Sequence, residues 1–166
     1  MLALPTALAD FDSDSPEATL AYGRRLARAL PRRCLILLCG DLGAGKTMLA
    51  KGLAEGLGVA AAAEVGSPTY TLIHEYASGE QDFYHIDLYR LATPRDLASL
   101  GLEDLLRPRA RPAMVAVEWG EKLLELGAAP GLEIFTVELQ AAGGDRRTIR
   151  ARALPGVESA ENQGGG

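Results

Sequence analysis

The feature that most restricts the fold of this chain is an apolar segment that runs directly into a glycine-rich turn. The segment is Cys34–Cys39, which reads Cys-Leu-Ile-Leu-Leu-Cys, and the turn covers residues 40–45. An apolar run this short is too brief for a helix and is typical of a strand that is buried on both faces. Strands of this kind belong to sheets with helices packed on both sides. We therefore expect an α/β fold.

The turn carries a pattern that is characteristic of phosphate binding. Residues 40–47 read Gly-Asp-Leu-Gly-Ala-Gly-Lys-Thr and match G-x-x-x-x-G-K-[ST]. The glycines let several backbone N–H groups face phosphate oxygens, and the positive end of the following helix adds to the attraction. Lys46 would reach the β- and γ-phosphates, and the Thr47 hydroxyl would be a ligand of Mg²⁺. Because a predicted strand enters the loop and a predicted helix, Lys46–Leu57, leaves it, the pattern indicates nucleotide binding.

A phosphate-binding loop also requires a carboxylate at the end of a neighbouring buried strand to hold Mg²⁺. Glu118 follows the apolar run Met114–Val117, and Asp87 ends the run that starts at Phe83. The first run is the more apolar, so Glu118 is the preferred metal ligand. Asp87 is then a candidate for orienting the attacking water or for supporting the metal through another ligand. A role for Asp87 as a cap or as an ion-pair partner of Arg90 stays open.

The other elements complete a three-layer α/β fold with a mixed, partly antiparallel sheet. We predict a helix Pro16–Leu30 capped by Ser15, strands Thr69–Tyr76 and Phe83–Leu88, a short helix from Thr93 to near Gly101, and strands Leu132–Leu139 and Arg146–Ala153. The link between the two middle strands is too short for a parallel crossover, so they should pair antiparallel. We expect residues 1–155 to form a single domain and residues 156–166 to be a disordered tail.

Charge and composition exclude several classes of protein. The chain has 17 Lys and Arg against 22 Asp and Glu, a net charge of −5, which argues against a surface that grips nucleic acid directly. The longest apolar run is far shorter than the roughly 20 residues of a membrane span. Cys34 and Cys39 point to opposite faces of one strand and are expected to be buried thiols. These features predict a cytoplasmic protein without a membrane segment.

Several further residues are candidates with two interpretations each. Ser67 and Thr69 lie where nucleotide-sensing switch segments occur, although an ordinary entry into a strand explains them equally well. His74 and His85 are expected to be packed or hydrogen-bonded rather than metal-bound, because no third ligand is suitably spaced. Trp119, the only tryptophan, follows the proposed metal carboxylate, where it either fills the core or reports on the nucleotide by its fluorescence.

Four segments in this order resemble the bacterial TsaE (YjeE) ATPases. They are the loop of residues 40–47, Ser67–Leu72, His85–Leu91 and Val117–Trp119, and the likeness extends from about Pro16 to Arg150. The resemblance implies an ATPase with the P-loop NTPase fold that works with the TsaB and TsaD proteins in making threonylcarbamoyladenosine in tRNA. It implies ATP and Mg²⁺ as cofactors and an indirect contact with tRNA through the complex. We expect the chain to be monomeric by itself.

The resemblance also assigns roles to individual residues. It places the nucleotide on Asp41, Leu42, Gly43, Ala44, Gly45, Lys46 and Thr47, with Met48 directly after the loop and with adenine near Pro16 and Gly144. It places Mg²⁺ on Thr47 and Glu118. The activity-critical aspartate and tryptophan of the family correspond to Asp87 and Trp119. The catalytic groups are then Lys46, Asp87 and Glu118.

Two other functions share the phosphate-binding loop. A small-molecule kinase would bring arginines from a mobile lid, and Arg107, Arg109 and Arg111 are candidates, although the prolines between them disfavour a helical lid. A GTPase would require an Asn-Lys-x-Asp segment for guanine, which the sequence lacks. Slow hydrolysis by the isolated chain would suit a protein whose site is completed by partners.

Overall fold

The structure is a computed structural model that describes residues 3–66, 73–108, 110–126 and 132–155. The helices are α1 (Thr6–Ala9), α2 (Pro16–Ala29), α3 (Lys46–Leu57), α4 (Pro94–Ala98) and α5 (Leu102–Leu106). The strands are β1 (Asp10–Ser13), β2 (Cys34–Cys39), β3 (Ile73–Ala77), β4 (Asp82–Asp87), β5 (Ala113–Glu118), β6 (Ile134–Ala141) and β7 (Arg147–Leu154). Two 3₁₀ helices cover Ala62–Glu64 and Gly120–Leu126.

The described strands form one mixed sheet of seven strands in the order β1-β7-β6-β2-β5-β4-β3. The four central strands β6, β2, β5 and β4 run parallel, whereas β1, β7 and β3 pair antiparallel at the two edges. The expected antiparallel pair β3–β4 is confirmed, since its link is too short to carry the chain back across the sheet. Because the four central strands are parallel, their carboxyl ends lie together at the same end of the sheet, where α/β folds place their sites.

The sheet is covered by helices on both faces, which confirms the three-layer arrangement. Ile36 and Leu38 of β2 face a core formed with α2 and α3. Leu35 and Leu37 face the opposite core, which contains Leu97 of α4. This alternation explains why β2 is apolar throughout, because its side chains from Cys34 to Leu38 are buried on one face or the other.

Local capping confirms the predicted helix starts. The Ala18 N–H donates to the Ser15 side chain at 3.1 Å, and Pro16 occupies the first position of α2. At α4, Thr93 and Asp96 each accept a hydrogen bond from the backbone N–H of the other. The structure ends α4 at Ala98 rather than near Gly101, because a left-handed turn at that glycine separates α4 from α5.

The N-terminal elements were not predicted from the sequence. β1 is an edge strand that pairs with β7, and its Asp10 lies 2.9 Å from Nη2 of Arg152. Phe11 stacks on Tyr22 of α2, with 5.0 Å between ring centroids. A short acidic edge strand has no run of alternating apolar residues, so hydrophobic periodicity does not reveal it.

Some predictions lie partly or wholly outside the described residues. Ser67, Thr69, Arg109 and the tail 156–166 are among these, and β3 is described only from Ile73 onward. Both cysteines are free; Cys34 is buried, whereas Cys39 is only partly so, which corrects the expectation of two buried thiols. That difference arises because Cys39 ends β2 beside the loop. None of the described helices is both long and apolar enough to cross a bilayer.

The close approach of α2 and α3 generates a testable prediction. A Cβ atom on Gly52 would lie 2.9 Å from the Cα of Gly23 and would also meet the carbonyl oxygen of Leu20. Because backbone cannot move aside as a side chain can, Gly52→Ala should lower the free energy of unfolding by about 2 kcal/mol or more. Urea denaturation measures this, with Gly79→Ala as control, since a Cβ there has no atom within 4 Å. Equal losses in the two variants would contradict the packing argument.

Candidate functional site

The loop between β2 and α3 has a backbone that only glycine adopts readily. Gly43 and Gly45 have φ values of +79° and +102°, in the left-handed region that disfavours other residues. The loop closes on itself through a 3.0 Å hydrogen bond from the Ala44 N–H to the Asp41 carbonyl oxygen. At its end the first turn of α3 offers N–H groups without intrahelical acceptors, together with the positive end of the helix dipole. This geometry suits an anion.

Lys46, the first residue of α3, brings a positive charge inside the loop. Its side chain is buried, and Nζ donates to the carbonyl oxygens of Gly40 and Asp41, the latter at 3.0 Å. Burial lowers the pKa of Lys46, whereas nearby carboxylates, led by Glu121 and Glu118, act in the opposite direction. The ammonium therefore lies where the terminal phosphates of a nucleotide are expected.

Thr47 and Glu118, which are distant in sequence, are in direct contact. The Thr47 hydroxyl donates to Oε1 of Glu118 at 2.7 Å, and Glu118 is only 3% exposed at the end of β5. The second carboxylate oxygen, Oε2, lies 2.8 Å from Nε2 of His85 on β4. Both oxygens of this buried carboxylate therefore have a partner. The structure brings together the two residues that were predicted to hold the metal.

His85 contributes to the site through Glu118. Its side chain is fully buried, and Nδ1 has no hydrogen-bond partner among the described residues. A proton on Nδ1 would be an unpaired buried donor, which is costly, so we assign the proton to Nε2. The Nε2–H group then donates to Glu118 and fixes the orientation of its carboxylate. The expectation that His85 is hydrogen-bonded is confirmed, but the sequence did not identify its partner.

Asp87 lies beside Glu118 at the carboxyl ends of the parallel strands. The two residues are opposite each other in the parallel pairing of β4 with β5, and Asp87 is 7% exposed. Its Oδ1 accepts the N–H of Tyr89 at 2.9 Å. Asp87 therefore caps the turn after β4, and its negative charge is one of those that raise the pKa of Lys46.

Trp119 connects these groups. It is the one described non-glycine residue with a left-handed backbone, at φ 59°, and such strain is often found at functional sites. The left-handed turn packs Gly120 against Leu37 of β2, where a Cβ atom would lie only 2.6 Å from the Leu37 Cβ. The indole ring lies under Nζ of Lys46 at 3.8 Å and against Tyr89 at 5.2 Å. Trp119 is thus part of the site rather than a simple core residue.

One cavity lies against the loop, and a second lies between the first turns of α2 and α3. The larger, of about 470 Å³, lies toward β6 and is lined by Gly40, Asp41, Leu42, Ala44, Cys39, Glu121, Glu138, Leu139, Gln140 and Ala141. The smaller, of about 230 Å³, is lined by Pro16, Glu17, Leu20, Met48, Lys51, Ala62 and Ala63. Carboxylates in the larger cavity repel phosphate groups. The smaller cavity contains Pro16 and Met48, two of the residues predicted to be near the nucleotide.

Gly144 and the loop are joined by a residue that the sequence did not reveal. Arg147 donates to the Ala44 carbonyl oxygen through Nε at 3.1 Å, to that of Gly43 through Nη2 at 3.1 Å, and to that of Gly144 through Nη1 at 2.7 Å. An arginine at the start of a strand carries no local signal of such a contact. It became visible only because the antiparallel hairpin β6–β7 lies beside β2.

Two of the three arginines considered for a kinase lid are paired away from this site. Arg107 pairs with Asp104 at 3.3 Å, and Arg111 pairs with Asp82 at 3.1 Å. Asp82 begins β4, at the end of the sheet opposite the loop. Arg109 lies outside the described residues.

The two side chains suit a magnesium ion that takes its other ligands from a nucleotide and from water. A hydroxyl and a carboxylate supply the hard oxygen atoms that Mg²⁺ prefers, and the His85 contact orients the carboxylate from behind. No group of three or more His, Cys, Asp or Glu side chains in the described ranges could hold a metal ion. Thr47 and Glu118 would therefore bind the ion together with phosphate oxygens and water.

Removal of the His85 imidazole tests this arrangement. His85→Leu leaves one oxygen of a buried carboxylate without its donor, so the free energy of unfolding should fall by about 1 to 3 kcal/mol. His85→Gln retains an N–H donor and should lose less. The measurement is urea denaturation, with His74→Leu on half-buried β3 as the matched control. A His85→Leu protein as stable as the wild type would show that the contact does not stabilise Glu118.

Comparisons with known proteins all point to one family. The family model for TsaE, threonylcarbamoyl adenosine biosynthesis protein, matches residues 13–149. A TsaE protein from Synechocystis is 46% identical over 66% of this chain and 68% of its own length. A TsaE protein from Nostoc is 45% identical over 64% of this chain and 65% of its own length.

The similarity extends further in Bacillus subtilis. Its TsaE protein is 36% identical over 84% of this chain and 82% of its own length. The crystal structure of YdiB from the same organism superimposes with a TM-score of 0.65 at 31% identity, covering 86% of this chain and 82% of YdiB. The resemblance inferred from four short segments is thereby confirmed. This chain belongs to the TsaE family of threonylcarbamoyl adenosine biosynthesis proteins.

Proposed function

We propose that this protein is a Mg²⁺-dependent ATPase that acts with TsaB and TsaD proteins in the synthesis of threonylcarbamoyladenosine in tRNA. The observation that carries the proposal is the 2.7 Å contact between Thr47 and Glu118 beside the buried ammonium of Lys46. A hydroxyl, a carboxylate and an ammonium together at a glycine loop match the requirements of phosphoryl transfer. Membership of the TsaE family supports the pathway. We place the activity in the cytoplasm.

Each residue has a distinct role in the proposed reaction. Thr47 and Glu118 would hold Mg²⁺, which when bound neutralises charge on the phosphate oxygens. Lys46 and the loop amides would stabilise the charge that develops on the transferred phosphoryl group. Asp87 would accept a hydrogen bond from the attacking water and so direct its oxygen toward the γ-phosphorus. The water oxygen would bond to that phosphorus as its bond to the bridging oxygen breaks, and ADP, phosphate and the proton given up by the water would be released.

The arrangement of Lys46 and Asp87 favours slow hydrolysis by the isolated chain. The ammonium of Lys46 donates to the carbonyl oxygens of Gly40 and Asp41, so reaching a phosphate requires exchange of these contacts. Asp87 is engaged with the N–H of Tyr89. A partner that reorients the turn after β4 would release Oδ1 of this carboxylate, let the group turn toward the attacking water and accelerate the reaction.

Adenine is the base that we propose for the smaller cavity. Pro16 and Met48 supply apolar walls, and Lys51 lies at the same cavity. Gly144 approaches the loop from the β6–β7 turn through Arg147. The small-molecule kinase alternative gains no support from Arg107 and Arg111, because both are paired with carboxylates away from the loop.

Isosteric substitutions of the two carboxylates test the proposed roles. Glu118→Gln should lower Mg²⁺-dependent ATP hydrolysis by about a hundredfold or more, because a neutral amide is a poor ligand of Mg²⁺. Asp87→Asn should lower kcat by about a hundredfold while leaving the Mg²⁺ requirement unchanged. A phosphate-release assay with varied Mg²⁺ measures both, and Glu80→Gln on an exposed turn is the control. Survival of hydrolysis in Glu118→Gln but not in Asp87→Asn would reverse the two roles.

Association with the proposed partners provides an independent test. Immobilised TsaB and TsaD should retain this chain in the presence of ATP and Mg²⁺ and release most of it without nucleotide. Lys46→Met removes the ammonium that faces the phosphates, so this variant should lose the nucleotide-dependent retention. Equal retention with and without ATP, or none under either condition, would contradict the partner-coupled function.

A further inference from the structure

Arg147 makes contacts that the proposed reaction does not yet explain. The side chain donates four hydrogen bonds, and every acceptor is a backbone carbonyl oxygen. Two acceptors, Gly43 and Ala44, belong to the phosphate loop, whereas Gly144 and Arg146 belong to the β6–β7 turn. No ion pair in the described part of the chain includes Arg147. Its charge is therefore directed at peptide groups.

The two loop acceptors are successive carbonyls, and this determines the direction of two amides. In a trans peptide the C=O and N–H groups point in opposite directions. A carbonyl of Gly43 held toward Arg147 directs the Ala44 N–H away from the hairpin, and the carbonyl of Ala44 does the same for the Gly45 N–H. The Ala44 amide closes the loop onto Asp41. The Gly45 N–H points to the side away from Arg147, where an anion can accept a hydrogen bond from it.

The loop needs such a restraint because glycine does not impose one. Gly43 and Gly45 lie on either side of Ala44, and the left-handed conformation that each adopts is only one of several that are open to glycine. Nε and Nη2 of Arg147 lie on one edge of a planar guanidinium, which suits two adjacent carbonyl oxygens. The positive charge behind these carbonyls also aligns with the peptide dipoles and makes the N–H of Gly45 a better donor to an anion.

We propose that Arg147 is a positioning residue of the phosphate loop, which fixes the loop-closing amide of Ala44 and sets the amide of Gly45 for a nucleotide triphosphate before it binds. The inference rests on the proposed function, since it assumes that this loop binds ATP. Arg147 touches no phosphate in this role; it acts through the peptide groups of Gly43 and Ala44. It also links the β6–β7 turn to the loop, so the two segments keep one relative arrangement.

Substitution of Arg147 tests the inference through nucleotide affinity. Arg147→Ala should raise the Kd for Mg²⁺·ATP by about tenfold or more, with kcat at saturation changed by less than about threefold, because preorganisation is lost while the chemical groups remain. Arg147→Lys should resemble Arg147→Ala, since a single nitrogen cannot reach the two loop carbonyls and those of the β6–β7 turn at the same time. Arg146→Ala, which removes a neighbouring charge from the same turn, should bind as the wild type does. Trp119 fluorescence and calorimetry measure the affinities.

Amide hydrogen exchange separates this role from general support of the fold. In Arg147→Ala without nucleotide, residues 43–45 should exchange faster than in the wild type, while β2 and α3 beyond its first turn should remain protected. If Arg147→Ala does not fold, the exchange rates of Arg147→Lys are compared with those of the wild type instead. Wild-type affinity in Arg147→Lys, or unchanged exchange in the loop of either variant, overturns the inference. A wild-type chain that does not bind ATP overturns the proposed function instead.

Discussion

The parallel pairing of β2 with β5 is the constraint on which the site depends. In this register Leu38 lies opposite Glu118, so the strand that enters the phosphate loop ends beside the strand that carries the carboxylate. A slip of one residue would turn Glu118 to the other face of the sheet, away from Thr47. The complementary apolar faces of both strands hold this register, because Met114 and Ala116 share the core of α3 with Ile36. Packing of the core and placement of the proposed metal ligands therefore have the same cause.

A buried carboxylate at the carboxyl end of a central strand requires hydrogen-bond partners, and the neighbouring elements provide them. Thr47 from α3 and His85 from β4 each satisfy one oxygen of Glu118. His85 and Asp87 are two residues apart on one strand and so share a face. This spacing allows β4 to support Glu118 with one side chain and to present a second carboxylate with the other. The strand thus has two roles in the proposed chemistry.

Opposing interactions act on the pKa of Lys46. Burial disfavours its charged form, while the surrounding carboxylates, two loop carbonyls and the face of Trp119 favour it. A triphosphate would replace the carbonyl contacts with stronger charged ones. The left-handed backbone of Trp119 is part of this arrangement, since it directs the indole under the ammonium. Backbone strain at this point is offset by the contacts of the ring and by the close packing of Gly120.

The sequence by itself determined the features that depend on neighbouring residues. The buried strand β2, the glycine loop, the cap at Ser15 and the short β3–β4 link follow from apolar runs, glycine and hydrogen-bonding side chains at fixed spacing. The choice of Glu118 also followed from a local pattern, an apolar strand that ends in a carboxylate. Only the tertiary structure showed that His85 supports this carboxylate, that β1 closes the sheet edge and that Arg147 reaches the loop. These contacts join residues far apart in the chain, and their geometry is decided by strand order and register, which no local spacing encodes.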